Sequence, residues 1–277
     1  MVIINPATSV RCRYYFRFAV YLFEHGFDVI VYDYRGIGES RPETLRGFDA
    51  CWIDWGRLDF EAVLQYAGGA FPGRPVYVVA HSIGGFVLGF ARSNHIIQRI
   101  FMVGAQYAYW RDYASGAKLQ MLVKWHMVMP LITSVFGYFP GKRLGWLEDT
   151  PKGVVWNWVF SRRRFEETWS GRESVRYPDK SALMKQFSAI TASTLAVSVT
   201  DDEFGTIAAV ERLLEYFVHS PRTHLRISPQ SIAEASIGHF GFFNSRFENK
   251  LWPISLAWLA LGQVSPDWPG ELITARQ

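Results

Sequence analysis

Apolar residues come along this chain in short unbroken runs, with helical patterns between them. Val2 to Ile4 is the first run and Phe27 to Tyr34, "FDVIVYDY", the second; Val76 to Ala80, Ile100 to Gly104, Leu195 to Thr200 and His224 to Ser228 follow. Each is rich in β-branched or aromatic residues, and none alternates polar with apolar. Strands buried on both faces read this way, so the runs predict a parallel sheet. Between them, Arg11 to His25, Trp55 to Tyr66, Gly84 to Ser93, Thr206 to Phe217 and Asn249 to Leu261 carry helical spacing. Strand and helix in alternation imply right-handed crossovers. The expected fold is therefore α/β, with a doubly wound, mainly parallel sheet.

The alternation breaks once. About ninety residues separate Gly104 from the run at Leu195, too many for a plain loop. They read as several helices rich in aromatics, Met and Leu, punctuated by Gly137, Pro140, Gly141 and Gly145. The expected organisation is a core of residues 1–106 and 193–277 with an inserted helical cap over 107–192. Leu119 to Phe139 is the most apolar long window of that cap. Lys124, His126 and Pro130 interrupt it, which predicts a segment too short to span a bilayer, with at most a contact to a membrane surface.

Composition adds limits. Hydrophobic residues make up 49% of the 277 and charged ones 19%, ample for a large core and against disorder. Net charge is +4, and the basic residues are scattered apart from Arg162-Arg163-Arg164, read as a solvated face. No basic stripe suits nucleic acid. The two cysteines, Cys12 and Cys51, lack metal-ligand spacing and read as reduced, partly buried groups. No metal and no cofactor are expected, since Gly36-x-Gly38 lacks the third glycine and the distal acid of a dinucleotide loop. Met1 to Pro6 shows no signal-peptide pattern, which leaves the cytoplasm as the default location.

Chemistry enters at "YVVAHSIGGFVLGF", Tyr77 to Phe90. A buried strand turns there into a small-residue helix, with Ser82 at the junction. A nucleophilic serine needs such a sharp turn, because the turn lifts the hydroxyl over the sheet edge beside the free N–H groups of a helix N-terminus. The residues two before and two after it must be small; here they are Ala80 and Gly84. An ordinary serine N-cap is the alternative reading.

The serine requires a base. Of seven histidines, His81 adjoins Ser82 but should point elsewhere from such a turn. Chain order on this scaffold, Ser then Asp then His, leaves His219, His224 and His239. His219 lies at a helix end and His224 opens a strand. His239 lies in the loop "IGHFGFF" beyond a strand end, where open sheets carry chemistry, and is the expected base. Asp201, Asp202 and Glu203 follow the run ending near Thr200. Loop register favours Asp202 as the carboxylate that orients His239, with Asp201 next.

Four segments together, "FDVIVYDYRGIGES", "VAHSIGG", "TDDEFGT" and "IGHFGFF", resemble the α/β-hydrolase superfamily. The chain looks closest to lid-bearing bacterial members related to serine aminopeptidases and monoglyceride lipases. The resemblance implies a Ser82–His239–Asp202 triad and an oxyanion hole with one donor on Ile83. The second donor would come from Asn5-Pro6-Ala7-Thr8, by register Ala7, although the family often has His-Gly there. Such hydrolases usually open with a hairpin before the strand at Val2, which would leave the strand within Phe27 to Tyr34 as an uncovered edge. A fragment, a mis-started frame or a truncated relative are the readings that follow.

The expected activity is a serine hydrolase cleaving a carboxylic ester, through an acyl-enzyme, of an apolar acyl or aromatic group. The aromatics and methionines of the cap, Trp110, Trp125, Met127, Met129, Phe136, Tyr138, Trp146, Trp156, Trp158 and Trp169, suggest that substrate, although most would individually serve as a packing seam. A peptidase of the aminopeptidase type would want cap acids for the substrate amine, and Glu148, Asp149, Glu166 and Glu167 are available. An acyltransferase on the same triad, or a catalytically silent binder, are the other readings.

Overall fold

The computed structural model describes residues 1–168 and 171–274. Trp169, named above among the cap aromatics, lies outside the described residues. Seven strands form the central sheet: β1 (Val2–Asn5), β2 (Val29–Val31), β3 (Val76–His81), β4 (Ile97–Val103), then, past a small pair formed by β5 (Tyr138–Phe139) and β6 (Thr150–Pro151), β7 (Ser193–Val199), β8 (Arg222–Ile227) and β9 (Glu271–Leu272). Their order is β2-β1-β3-β4-β7-β8-β9, all parallel except β9, which runs antiparallel to β8. The fold is α/β with a doubly wound sheet, as the apolar runs imply. Glu271–Leu272 is too short and exposed to show in the pattern.

Successive side chains of each strand enter different cores, which is why the strands read as continuous apolar runs. Ile3, Val78, Ala80, Ile100, Met102 and Ala196 join the core under the helices Glu61–Ala70, Ile83–Val87 and Ile207–Leu214. Val2, Ile4, Val79, Phe101, Val103, Leu195 and Val197 join the opposite core, under Phe16–Glu24 and Trp252–Leu261. The second strand is shorter than its apolar run: only Val29–Val31 pairs, half-buried at the sheet edge with β1 on one side. Cys12 and Cys51 are unpaired, the first half-buried and the second buried.

Between β4 and β7 the chain folds mainly as helices. One of them corrects the sequence reading. Lys118–Phe136 is unbroken over 19 residues and is long and apolar enough to cross a membrane by length and composition. Lys124, His126 and Pro130 do not interrupt it. Pro130 has no N–H to donate, and the chain reaches it through a wide π-helical stretch, Leu122–Val128, that feeds directly into Met129–Phe136. Gly137, left-handed at φ 80°, ends it. Met121, Trp125, Met129 and Thr133 face inward and are buried. Ion pairs tie the inserted segment to the sheet domain, among them Arg11–Glu148 (2.9 Å), Arg41–Asp149 (2.7 Å) and Arg212–Asp112.

Candidate active site

The strand β3 delivers Ser82 at its C-terminal end, and the helix Ile83–Val87 starts on the next residue. Ser82 sits at φ 54°, ψ −121°, a region an L-residue enters only under strain. Its side chain does not cap the helix, which removes the N-cap reading. The turn is held tight by Gly84: a Cβ there would stand 2.4 Å from the Asn5 carbonyl oxygen. The Asn5 side chain braces the same approach, its Nδ2 donating to the Gly84 carbonyl at 3.2 Å. Strand β1 and the serine turn are thus locked at van der Waals limits.

His239 lies at the start of a short helical turn, Gly238–Gly241. Its Nδ1–H donates to Asp202 Oδ2 at 2.7 Å. Asp202 Oδ1 accepts from the backbone N–H groups of Phe204 and Gly205, both at 2.8 Å. Burial pushes the Asp202 carboxyl up, but the His239 ring and these N–H donors outweigh it and hold the group below the ordinary carboxylate range. Asp201 has another task. Its Oδ2 accepts from the N–H of Ile237 at 2.8 Å and of Gly238 at 3.1 Å, clamping the loop that carries His239.

Ser82, Ile83 and His239 line one cavity of about 210 Å³, with Ala7, Gln106 and Phe240. No direct hydrogen bond joins Ser82 Oγ to His239 here; the hydroxyl accepts from Gln106 Nε2 at 3.4 Å. Long serine–histidine separations are common before substrate binds. The remaining histidines stand apart. His224 lies between Ser198 and Glu211, His219 is exposed, and His126 bridges Tyr113 and the Val159 carbonyl.

His81, set aside as a base, points away from the cavity as expected but is not idle. Its Nε2–H donates to the His239 backbone carbonyl at 2.9 Å, and its Nδ1 accepts from the Tyr15 hydroxyl at 2.8 Å. The carbonyl can only accept, so the tautomer follows. Burial, reinforced by the His239 charge, drives His81 down to about 3, and the ring stays neutral.

One expected donor is corrected. The Ala7 N–H donates to Tyr15 Oη at 2.9 Å, so it is occupied, although Ala7 still lines the cavity. Among the described residues the N–H of its neighbour Thr8, also on the cavity wall, has no partner. The Ile83 N–H, first in its helix, is likewise free. Ile83 and Thr8 thus carry free N–H groups beside the cavity, while that of Ala7 is taken by a tyrosine eight residues further on.

The family model described as serine aminopeptidase, S33, matches residues 1–152. The chain belongs to this family of α/β-hydrolases. No curated protein sequence matches it significantly. Solved structures with the same fold include a monoacylglycerol lipase of Paleococcus ferrophilus, 13% identical, with 95% of this chain and 94% of that one superposed at a TM-score of 0.58. A hydrolase from Oleispira antarctica is 18% identical over 94% of this chain and 90% of its own, at 0.54. A structure from work on carboxylesterases of Nitrososphaera gargenis is 14% identical over 94% and 89%, at 0.53. At such identities the likeness speaks for the fold alone.

Gln106 and Tyr15 escaped the sequence reading, whereas Thr8 stood in the expected donor segment one place past the preferred Ala7. Gln106 carried one usable signal, its place just past the C-terminal end of β4, where loops of parallel sheets face ligands. Tyr15 carried none, because its hydroxyl reaches the site only through the packing of its helix on the sheet.

Proposed function

We propose that this member of the serine aminopeptidase family is a serine hydrolase acting on carboxylic esters. The observation that carries the proposal is the strained Ser82, free of any capping bond, facing one cavity with a histidine held by a buried carboxylate. Ser82 attacks the acyl carbon. His239 takes the hydroxyl proton and returns it to the leaving alcohol, and Asp202 fixes the tautomer that leaves Nε2 free to do so. The N–H groups of Ile83 and Thr8 hold the oxyanion, and water releases the acyl group.

The cavity wall supports an apolar acyl or aromatic group. Trp125 and Trp158 stack at 4.9 Å, and Trp146, Phe204 and Leu147 complete that side. Three other cap residues of that set lie off the cavity wall: Met129 is buried, whereas Met127 and Phe136 are exposed. The volume is below the roughly 300–1,000 Å³ of clefts for drug-sized ligands, which favours a short or medium acyl group. The segment 107–192 acts as the lid in this reading. The four acids that an aminopeptidase could use do not line the cavity. Glu148 pairs with Arg11, Asp149 with Arg41, and Glu166 accepts from Tyr216 at 2.8 Å, while Glu167 is exposed.

The lid's long helix supports a lipid surface as a further partner. Leu119, Val123, Met127, Leu131 and Val135 lie on its outer side, each between 42% and 75% exposed. A spacing of four drifts by about 40° per step on a regular α-helix; the wider π turns at Leu122–Val128 take back part of that drift and keep the stripe together. No acid occurs between Asp112 and Glu148, while Lys118, Lys142 and Arg143 flank the stripe, a pattern suited to an anionic interface.

Labelling with a fluorophosphonate, read by intact mass, tests the activity. One adduct on the wild type and none on Ser82→Ala is the expected result. A folded protein that takes no adduct would turn the reading to a silent binder on the same fold.

A further inference from the structure

Two residues on the cavity wall carry hydrogen-bond donors that the acyl-transfer chemistry leaves unused. Lys124, on the inner part of the long lid helix, lines the cavity with Ser82 and His239. Its Nζ stands 4.5 Å from the ring centres of both Trp125 and Trp146. The two indoles meet edge to face at 5.7 Å, so the ammonium sits in an aromatic corner. Among the described residues it has neither an ion pair nor a hydrogen bond, although its three N–H groups need acceptors. Trp52 is the second donor. It is fully buried, lines the same cavity, and its Nε1–H has no partner. Leaving a buried N–H unmatched is costly, and native proteins seldom retain one without a use.

We propose that Lys124 and Trp52 form a subsite for an anionic group on the substrate, a carboxylate or a group of similar charge joined to the ester being cleaved. The inference rests on the serine-hydrolase reading and narrows its substrate class. The aromatic corner partly strips the ammonium of water while leaving its N–H groups open, which strengthens its attraction for an anion over that of a fully hydrated lysine. The surrounding indoles then take the apolar part of the same molecule. Glu203 is the other charged side chain on the wall apart from His239, and it is exposed, on the loop after β7. Its charge is therefore screened, whereas that of Lys124 is only half open to solvent.

The test compares esters of matched size. The neutral probe is 4-nitrophenyl butyrate, and the cationic one is 4-nitrophenyl 4-aminobutyrate. Three anionic probes place the charge on either side of the scissile bond: the 4-nitrophenyl half-esters of succinate and adipate on the acyl side, and 4-butyryloxy-3-nitrobenzoate on the leaving-group side. The wild type should favour at least one anionic probe over the neutral one by tenfold or more in kcat/KM, mainly through KM, and the margin should shrink with added salt. Lys124→Met should erase that margin while leaving the butyrate within threefold, and Lys124→Arg should restore part of it. Trp52→Phe, which keeps most of the ring and removes the N–H, should narrow it too.

Equal loss on charged and neutral esters in Lys124→Met, or a wild-type preference for the neutral or cationic probe, overturns the subsite. Turnover of butyrate without an anionic margin sinks the subsite and leaves the hydrolase standing. Absence of turnover on every ester, with no fluorophosphonate adduct, sinks the hydrolase reading instead. Calorimetric titration of Ser82→Ala with monomethyl adipate against dimethyl adipate then decides the subsite without catalysis: tighter binding of the monoanion, lost in Ser82→Ala/Lys124→Met, upholds it, and equal binding rejects it.

Discussion

His81 Nε2 donates to the backbone carbonyl of His239 at 2.9 Å, so the residue beside Ser82 anchors the chain at His239. The anchor is itself fixed, since His81 Nδ1 accepts from Tyr15 Oη, which accepts in turn from the Ala7 N–H. Four segments are joined by this relay, two of them distant in sequence from the rest: the loop after β1, the helical turn Cys12–Tyr15, the end of β3 and the histidine loop. His81→Phe keeps a flat ring, somewhat larger, but leaves the His239 carbonyl without its donor and the Tyr15 O–H without its acceptor. Each should cost about 1–3 kcal/mol in urea unfolding. A displaced base should also lower kcat, by up to about 100-fold for a shift of an ångström.

The same ring makes stability depend on pH. His81 is neutral in the fold down to about 3, whereas the unfolded chain protonates it below about 6.5. The unfolded state then binds the extra proton. This contribution is fully present above pH 6.5 and is lost progressively as the pH falls toward 3, by at most about 1.4 kcal/mol per pH unit for one group. Asp202, held below the usual range, adds a loss in the same direction once the pH drops below its unfolded value near 4. Urea titrations at pH 7, 6 and 5 should show the slope, and His81→Phe should flatten it.

Asp202 and Asp201 are adjacent yet separable. Asp202→Asn keeps the geometry but presents the wrong partner to His239 Nδ1, and kcat should fall by about 10⁴. Asp201→Asn retains an acceptor for the Ile237 and Gly238 N–H groups, so turnover should fall by less than about tenfold, with a stability loss near 1 kcal/mol. The reverse ranking in steady-state assays would move the carboxylate role to Asp201.

Two glycines in helices on the same side of the sheet respond oppositely to a methyl group. At Gly84 it would strike the Asn5 carbonyl, so Gly84→Ala should distort the serine turn, cost about 1–3 kcal/mol and abolish fluorophosphonate labelling. Gly69, within the helix Glu61–Ala70, has nothing within 4 Å. Gly69→Ala should stabilise the protein by up to about 1 kcal/mol and leave labelling intact.

The outer stripe of the lid helix provides a membrane test. Leu131→Asp with Val135→Asp should reduce flotation with vesicles containing phosphatidylserine by about tenfold or more, given roughly 1.5–3 kcal/mol for burying one such side chain. Turnover of a soluble short-chain ester should persist, because neither residue lines the cavity. Equal flotation of wild type and variant would remove the lipid surface as a partner.

The sequence alone determined the parallel sheet, since strands buried on both faces need unbroken apolar runs, and it pointed to Ser82, Asp202 and His239, since turn chemistry and strand-end loops are local. It also pointed to the inserted segment, because no loop of that length stays unfolded in a compact domain. Folding decided what depends on distance across the chain. That the Ala7 N–H is taken and the Thr8 N–H is free rests on where the Tyr15 hydroxyl lands, and the contact of His81 on a carbonyl 158 positions away. The unbroken helix Lys118–Phe136 likewise depends on a π turn that carries the backbone past Pro130, a matter of hydrogen-bond register that hydropathy does not encode. Lys124 and Trp52 share a wall only because the helices between β4 and β7 fold back beside the serine turn. Local pattern specifies backbone elements and strained turns. Spare donors, tautomers and charge environment belong to the packed whole, because each depends on atoms that the chain brings together only when it folds.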